Sequence, residues 1–249
     1  MQSIKIVIPS YKRADKVLTK DIIKDAIICV PDSQKEEYAE YCPNNEIVCH
    51  PDEIKGLVPK RNWMVQKFGE LFMMDDDIAG IQKVYGKMND SALVDKDPER
   101  NYKRVQELYD MAKCFGVHLF GFSPNFGPLY FNEFKPLRLD SKITGCAYGV
   151  IKSPNTWWPE DLKLKEDFWI SGLVKYQERM ILCDCRFYVC QKNTFDSGGG
   201  GLSEIRNTHT ERESMLRIKS AFGDVVTLKR DKLRCEKNAM YNIAIKFPF

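Results

Sequence analysis

Three consecutive carboxylates close an apolar run in this 249-residue chain, where Leu71-Phe72-Met73-Met74 leads directly into Asp75-Asp76-Asp77. The run reads as a buried strand, and acids crowded at its carboxyl end repel one another unless positive charge sits among them. A hard divalent cation, Mg²⁺ or Mn²⁺, suits them because it takes carboxylate oxygens together with substrate phosphates. The carboxyl ends of strands are also where open α/β sheets bind ligands, which favours a metal site here over a solvated acidic turn.

A second acidic pair, Glu166-Asp167, follows Lys165 at the start of a helical pattern. A carboxylate in that position can take a proton from an attacking hydroxyl. It can equally do no more than offset the helix dipole, which favours acids in any first turn. The third constellation is DSGGGGLSEIRNTHTER, with glycines at 198–201 and Arg206, His209 and Arg212 behind them. Backbone N–H groups of such a loop can cradle phosphate. The spacing fits neither the P-loop nor the dinucleotide fingerprint, so both readings fail.

Several elements must position these groups. Ile4 to Ile8 reads as a buried strand closed by Pro9, and Ala26 to Val30 and Glu46 to Cys49 read as two more. A short helix suits Ser33 to Tyr41, and a longer one spans Leu57 to Phe68, with Leu57, Met64 and Phe68 at helical spacing. Strands alternating with helices predict crossover units and a mostly parallel sheet. The second half is more mixed. A helix follows Pro98 with Tyr102, Val105, Tyr109 and Ala112 on one face, and strands are expected over Val117 to Phe122, Ile143 to Ile151 and Arg186 to Cys190. Trp169, Leu173, Tyr176 and Met180 mark a helix after Lys165, and Met215, Ile218 and Phe222 mark another. Ile243, Ile245 and Phe247 alternate as an edge strand.

Composition is that of an ordinary globular chain, 43% apolar and 29% charged with net charge +3. That charge is compatible with a nucleic-acid partner without requiring one. The opening MQSIKIVIPSYKR shows neither a signal peptide nor a membrane anchor, and nine cysteines, an odd number, suit reduced thiols in a cytoplasm. Cys183, Cys185 and Cys190 lack the paired spacing of a zinc knuckle. We expect one domain over 1–249, with a first half at 1–80, a second half at 81–249 and a late glycine-rich lid loop at 197–201.

IVIPSYKR, GLVPKRNWMVQKF and FMMDDDI together resemble the nucleotide-binding half of GT-A glycosyltransferases. The resemblance implies a Rossmann-like α/β fold with a mostly parallel central sheet flanked by helices. It implies that Pro9, Ser10, Arg13, Arg61, Asn62, Asp75, Asp76 and Arg206 contact the nucleotide or its phosphates. Asp75 and Asp77, matching the D-x-D pair, would hold Mn²⁺ or Mg²⁺, with His209 as a further ligand from the late loop. The third acid between them leaves the ligand assignment open. GCAYGVIKS and the Glu166-Asp167 pair resemble the acceptor side, where inverting members place the base, most simply Asp167.

Over most of the chain the pattern is most similar to the TET/JBP-associated glycosyltransferases, which include base J glucosyltransferase-like and phage enzymes. Membership would imply transfer of a hexosyl or pentosyl group from a UDP-sugar to 5-hydroxymethylcytosine or a related pyrimidine in DNA, in a cytoplasm (the host's, if phage-encoded) and with no membrane partner. Lys12, Arg13 and Lys16, a basic tail of Lys229, Arg230, Lys232 and Arg234, and the aromatics Phe126, Tyr130 and Phe131 could serve such an acceptor. The alternatives are a glycan or small-molecule acceptor, a sugar-nucleotidyltransferase, whose glycine- and lysine-rich opening loop PSYKRAD does not supply, and a silent nucleic-acid-binding module on the same fold.

Overall fold

A computed structural model of the chain describes residues 2–85, 93–192, 205–228 and 243–246. The first half alternates strongly between strand and helix. In order come β1 (Lys5–Pro9), β2 (Ala26–Pro31), α1 (Lys35–Tyr41), β3 (Glu46–His50), α2 (Leu57–Phe68) and β4 (Glu70–Met74). There follow β5 (Ile78–Lys83), β6 (Val94–Asp95), α3 (Pro98–Phe115), β7 (Leu119–Phe122), β8 (Leu137–Arg138) and β9 (Ala147–Ile151). The chain continues through α4 (Glu166–Glu178), β10 (Leu182–Asp184), β11 (Phe187–Gln191), α5 (Thr208–Phe222), β12 (Val226–Leu228) and β13 (Ile243–Ile245).

Eight strands form the central sheet in the order β3-β2-β1-β4-β9-β7-β10-β8. The pairs from β3 through β4 are parallel, β9 runs against both its neighbours, and β8 runs against β10. The sheet is therefore mostly parallel and turns mixed in its second half, as the GT-A resemblance implies. Alternate strand residues feed two cores. Ile6, Ile8, Phe72 and Phe120 pack towards α3, while Val7, Leu71, Met73 and Val150 pack towards α2, α4 and α5. Gly149 on β9 admits the Phe120 ring from β7, which would lie 2.0 Å from a Cβ at that position. A smaller sheet, β11-β5-β6, lies beside the aspartate turn, and β12 pairs with β13 separately.

Three expectations need correction. The strand expected from Ile143 begins only at Ala147, because Thr144 to Cys146 form a turn whose hydroxyl and backbone bond locally. The buried residues of α2 are Val58, Lys60, Arg61, Met64 and Val65, with Leu57 and Phe68 only half-buried. In α4 the buried face centres on Trp169, Ile170 and Val174, and Tyr176 faces solvent. The expected lid at 197–201, the basic tail residues 229–234 and Phe247 lie outside the described residues. Among the described residues no helix is long and apolar enough to cross a membrane.

Candidate active site

Three successive residues of α2 organise the site. Neighbours on a helix point about 100° apart, so Lys60, Arg61 and Asn62 reach three different segments. Lys60 donates from Nζ to the Ser10 carbonyl after β1 at 2.8 Å. Burial pulls its ammonium down to about 8, against the nearby Cys29 and Asp76. Asn62 uses both ends of its amide on the Trp158 backbone, donating to its carbonyl at 2.7 Å and accepting from its N–H at 3.0 Å. Trp158 in turn donates from its indole to the Glu166 carbonyl at 3.0 Å, which ties α2 to the start of α4.

Arg61 sits at the centre, with 1% of its side chain exposed. Nη1 donates to Tyr148 Oη at 2.7 Å and to Glu166 Oε1 at 2.9 Å. Nη2 donates to the Gly145 carbonyl at 2.9 Å and reaches Asp75 Oδ1 at 3.4 Å. One buried guanidinium thus joins the aspartate turn after β4 to the first turn of α4. Its rigid planar fork is what such multiple bonding needs, and a lysine could not reproduce it.

The three aspartates have different surroundings. Asp76 turns back to the β1 loop, accepting from Ser10 Oγ at 2.5 Å and Arg13 Nη1 at 3.0 Å. Burial raises its carboxyl, and these two donors work against the rise. Tyr38 from α1 completes the corner, 2.7 Å from Ser10 Oγ and accepting from the Arg13 N–H. Asp75 and Asp77 face the opposite way. Gln191 Nε2 at the end of β11 donates to Asp77 Oδ1 at 2.9 Å and to Asp75 Oδ2 at 3.3 Å. Burial holds the Asp75 carboxyl well above its ordinary range; Asp77, Glu166 and Asp76 add to this and Arg61 opposes it.

These carboxylates fit a hard cation in one respect: two of their oxygens converge on a single positively polarised atom, the Gln191 amide nitrogen. Among the described residues no three His, Cys, Asp or Glu side chains gather as a ligand set. Two carboxylates completed by substrate oxygens are the usual mode for Mg²⁺. His209 stands on the first turn of α5, 77% exposed and 3.4 Å from Glu213. Arg206 lies beside the buried Glu211, which also pairs with Lys165 at 2.5 Å. Glu211 thereby links Arg206 to Lys165, the residue preceding Glu166.

Glu166 and Asp167 stand in different surroundings. Glu166 is buried and bound to Arg61, whereas Asp167 is only partly buried, with its Cβ and Cγ 3.5 Å from where a Gly145 side chain would start. Asp167 is pushed up to about 6 by burial and by Glu166 beside it, with Lys142 opposing. A carboxyl near that value can accept a proton at neutral pH and remain basic enough to hold it.

Sequence reasoning missed Lys60, Tyr148 and Gln191. The signal for Tyr148 was available, since a phenol in the middle of a buried strand must find a hydrogen-bond partner. Lys60 and Gln191 carried none, for a lysine on a helix and a glutamine ending a strand usually face water.

The crystal structure of S. aureus TarS 1-349 is similar at 11% identity and a TM-score of 0.48, over 88% of this chain and 66% of that one, just under two thirds of its length. No curated protein matches. The profile of the TET-associated glycosyltransferase family matches residues 4–200, and the chain belongs to that family.

Proposed function

We propose that this glycosyltransferase moves a sugar from a UDP-type donor to the hydroxyl of a hydroxymethylated pyrimidine in DNA, with a divalent cation at Asp75 and Asp77. The observation that carries the reading is the span of Arg61, which ties the aspartate turn to the start of the Glu166-Asp167 helix. Donor diphosphate and acceptor base need that proximity, because a positioned reaction avoids most of the entropy cost of encounter.

The cation, when bound, neutralises charge on the departing diphosphate. The chain's own residues do the rest. Arg13, fixed by Asp76, and Ser10 shape the loop after β1 that receives the nucleotide. Asp167 accepts the proton of the acceptor hydroxyl as its oxygen bonds to the anomeric carbon and the bond from that carbon to the diphosphate oxygen breaks. A single displacement of this kind inverts the anomeric centre. Glu166, committed to Arg61, keeps the helix in register with the turn.

Support for a DNA acceptor comes from the loop between β7 and β8. Phe126 packs on Tyr188 with ring centroids 5.5 Å apart, and Leu129, Tyr130 and Phe134 are 95%, 60% and 85% exposed. Tyr130 opens onto a groove of about 610 Å³ lined by Lys135, Arg138 and Arg179, with Asp140 the one acid among the described lining residues. Aromatic faces beside cationic side chains suit single-stranded or extruded bases.

The test is incubation with a panel of UDP-sugars, Mn²⁺ and an oligonucleotide containing hydroxymethylcytosine, read by mass spectrometry. A hexose or pentose mass increment on that oligonucleotide, absent from its cytosine counterpart, is expected. Transfer to glycans but never to the oligonucleotide would overturn the acceptor.

A further inference from the structure

We infer that Gln191 is a protein ligand of the cation, presenting Oε1 to it, and that without the cation its amide bridges the two carboxylates. The inference rests on the metal reading above and concerns a residue that neither the D-x-D pattern nor the late histidine would single out.

The placement of Gln191 is built into the backbone. Along β11, alternation puts Phe187, Val189 and Gln191 on one face. Phe187 packs edge-on against Phe122 at 6.2 Å and Val189 is 1% exposed, so this face belongs to the core until Gln191 emerges at the strand's end. The register with β5 shifts by one residue between Cys190 and Gln191, bringing Gln191 opposite Ile78, the residue after Asp77. Irregularities of this kind recur next to active sites, where they set the aim of a side chain. Lys192 N–H then donates to the Asp77 carbonyl at 3.1 Å, fastening the strand end to the aspartate turn.

The chemistry follows from the amide. Its nitrogen donates to one oxygen each of Asp75 and Asp77, so it occupies the point on which both carboxylates converge. A cation arriving there cannot tolerate a donor N–H. Rotation of the amide through a half turn exchanges nitrogen for oxygen without moving the backbone, since the two ends are nearly the same size. The same side chain that stabilises the empty pair of carboxylates thereby becomes a neutral oxygen ligand, a type that hard cations accept.

Mn²⁺ binding to the full chain with UDP, followed by electron paramagnetic resonance, tests this without any transfer reaction. Gln191→Leu removes the oxygen and should weaken Mn²⁺ binding about tenfold or more, since even groups that only support a ligand alter metal affinity about 10–100-fold. Gln191→Glu supplies a charged oxygen at the same place and should bind at least as tightly as the parent. Thermal melting without metal checks that each variant folds, and Gln191→Glu carries the test if Gln191→Leu does not. Unchanged or tighter binding by Gln191→Leu, or weaker binding by Gln191→Glu, would overturn the assignment. If Gln191→Leu matches the parent while Asp77→Asn no longer binds, the metal site stands and only Gln191's role falls. A parent that binds no Mn²⁺ would sink the metal reading itself.

Discussion

Arg61 and Glu166 stand 105 residues apart in sequence, yet Nη1 and Oε1 meet at 2.9 Å with 1% and 8% of the two side chains exposed. Removing one partner of so buried a pair strands the other charge, which typically costs about 3–5 kcal/mol. Arg61→Met should destabilise the fold by that order in urea titrations. Glu166→Gln on top of it should cost much less than it does alone, because the lone carboxylate is then gone. Simple additivity of the two changes would show that the pair is not energetically coupled.

A second prediction concerns the sheet itself. A methyl group at Gly149 would lie 2.0 Å from the Phe120 ring, inside a core that has no room to yield. Gly149→Ala should destabilise by about 1–3 kcal/mol or more, the usual range for overpacking. Adding Phe120→Leu should recover part of the loss, measured as the midpoint of thermal or urea unfolding. No recovery would mean that the cost arises in the strand backbone and not in the ring contact.

Much of this architecture was legible because it repeats a simple pattern. β1, β2, β4 and α2 announced themselves as apolar runs or helical spacing, and the aspartate turn was visible because its strand was. What periodicity could not show was polarity on a buried face. It placed the inner side of α2 along Leu57, Met64 and Phe68, whereas the helix buries Lys60 and Arg61 beside Val58, Met64 and Val65. A charged residue reads as solvent-facing until its partners are known, and those of Arg61 come from β9, the turn before it, α4 and the aspartate turn after β4. Gln191 is hidden for the same reason, since its meaning depends on a register shift between two strands that no local pattern reveals. Asp76 shows the converse: its neighbours in sequence look like a ligand set, but its own carboxylate faces Ser10 and Arg13.

The groove beside Tyr130 supplies a third test. If Lys135, Arg138 and Arg179 contact phosphates, oligonucleotide affinity should fall steeply with salt, by roughly one counterion per contact. Changing Lys135 and Arg179 to alanine should reduce the slope of log affinity against log salt by about 2 and raise KM for the oligonucleotide. Affinity for UDP should stay as it was. Arg138 is the weaker choice for substitution because it already pairs with Asp140 at 2.9 Å. An unchanged salt slope would remove this groove from the acceptor path.

The final prediction concerns Asp167 and uses two opposite pH signatures. Burial and the adjacent Glu166 push its carboxyl up to about 6, from an ordinary value of 3.8. As the base it must be ionised, so transfer should rise with pH through about 6 and then level off. Stability should move the other way. Between 3.8 and about 6 the folded chain holds a proton that the unfolded chain has released, so this group's contribution to stability falls as pH rises through that window. Asp167→Asn removes both effects together: the acid limb of the rate profile disappears, the rate drops by about 10²–10⁴-fold, and stability loses that part of its pH dependence. UDP affinity by calorimetry should hardly change, because the base meets the acceptor and not the diphosphate. Near-parental turnover would pass the role to another carboxylate. A parallel loss of UDP affinity would place Asp167 on the donor side of the site.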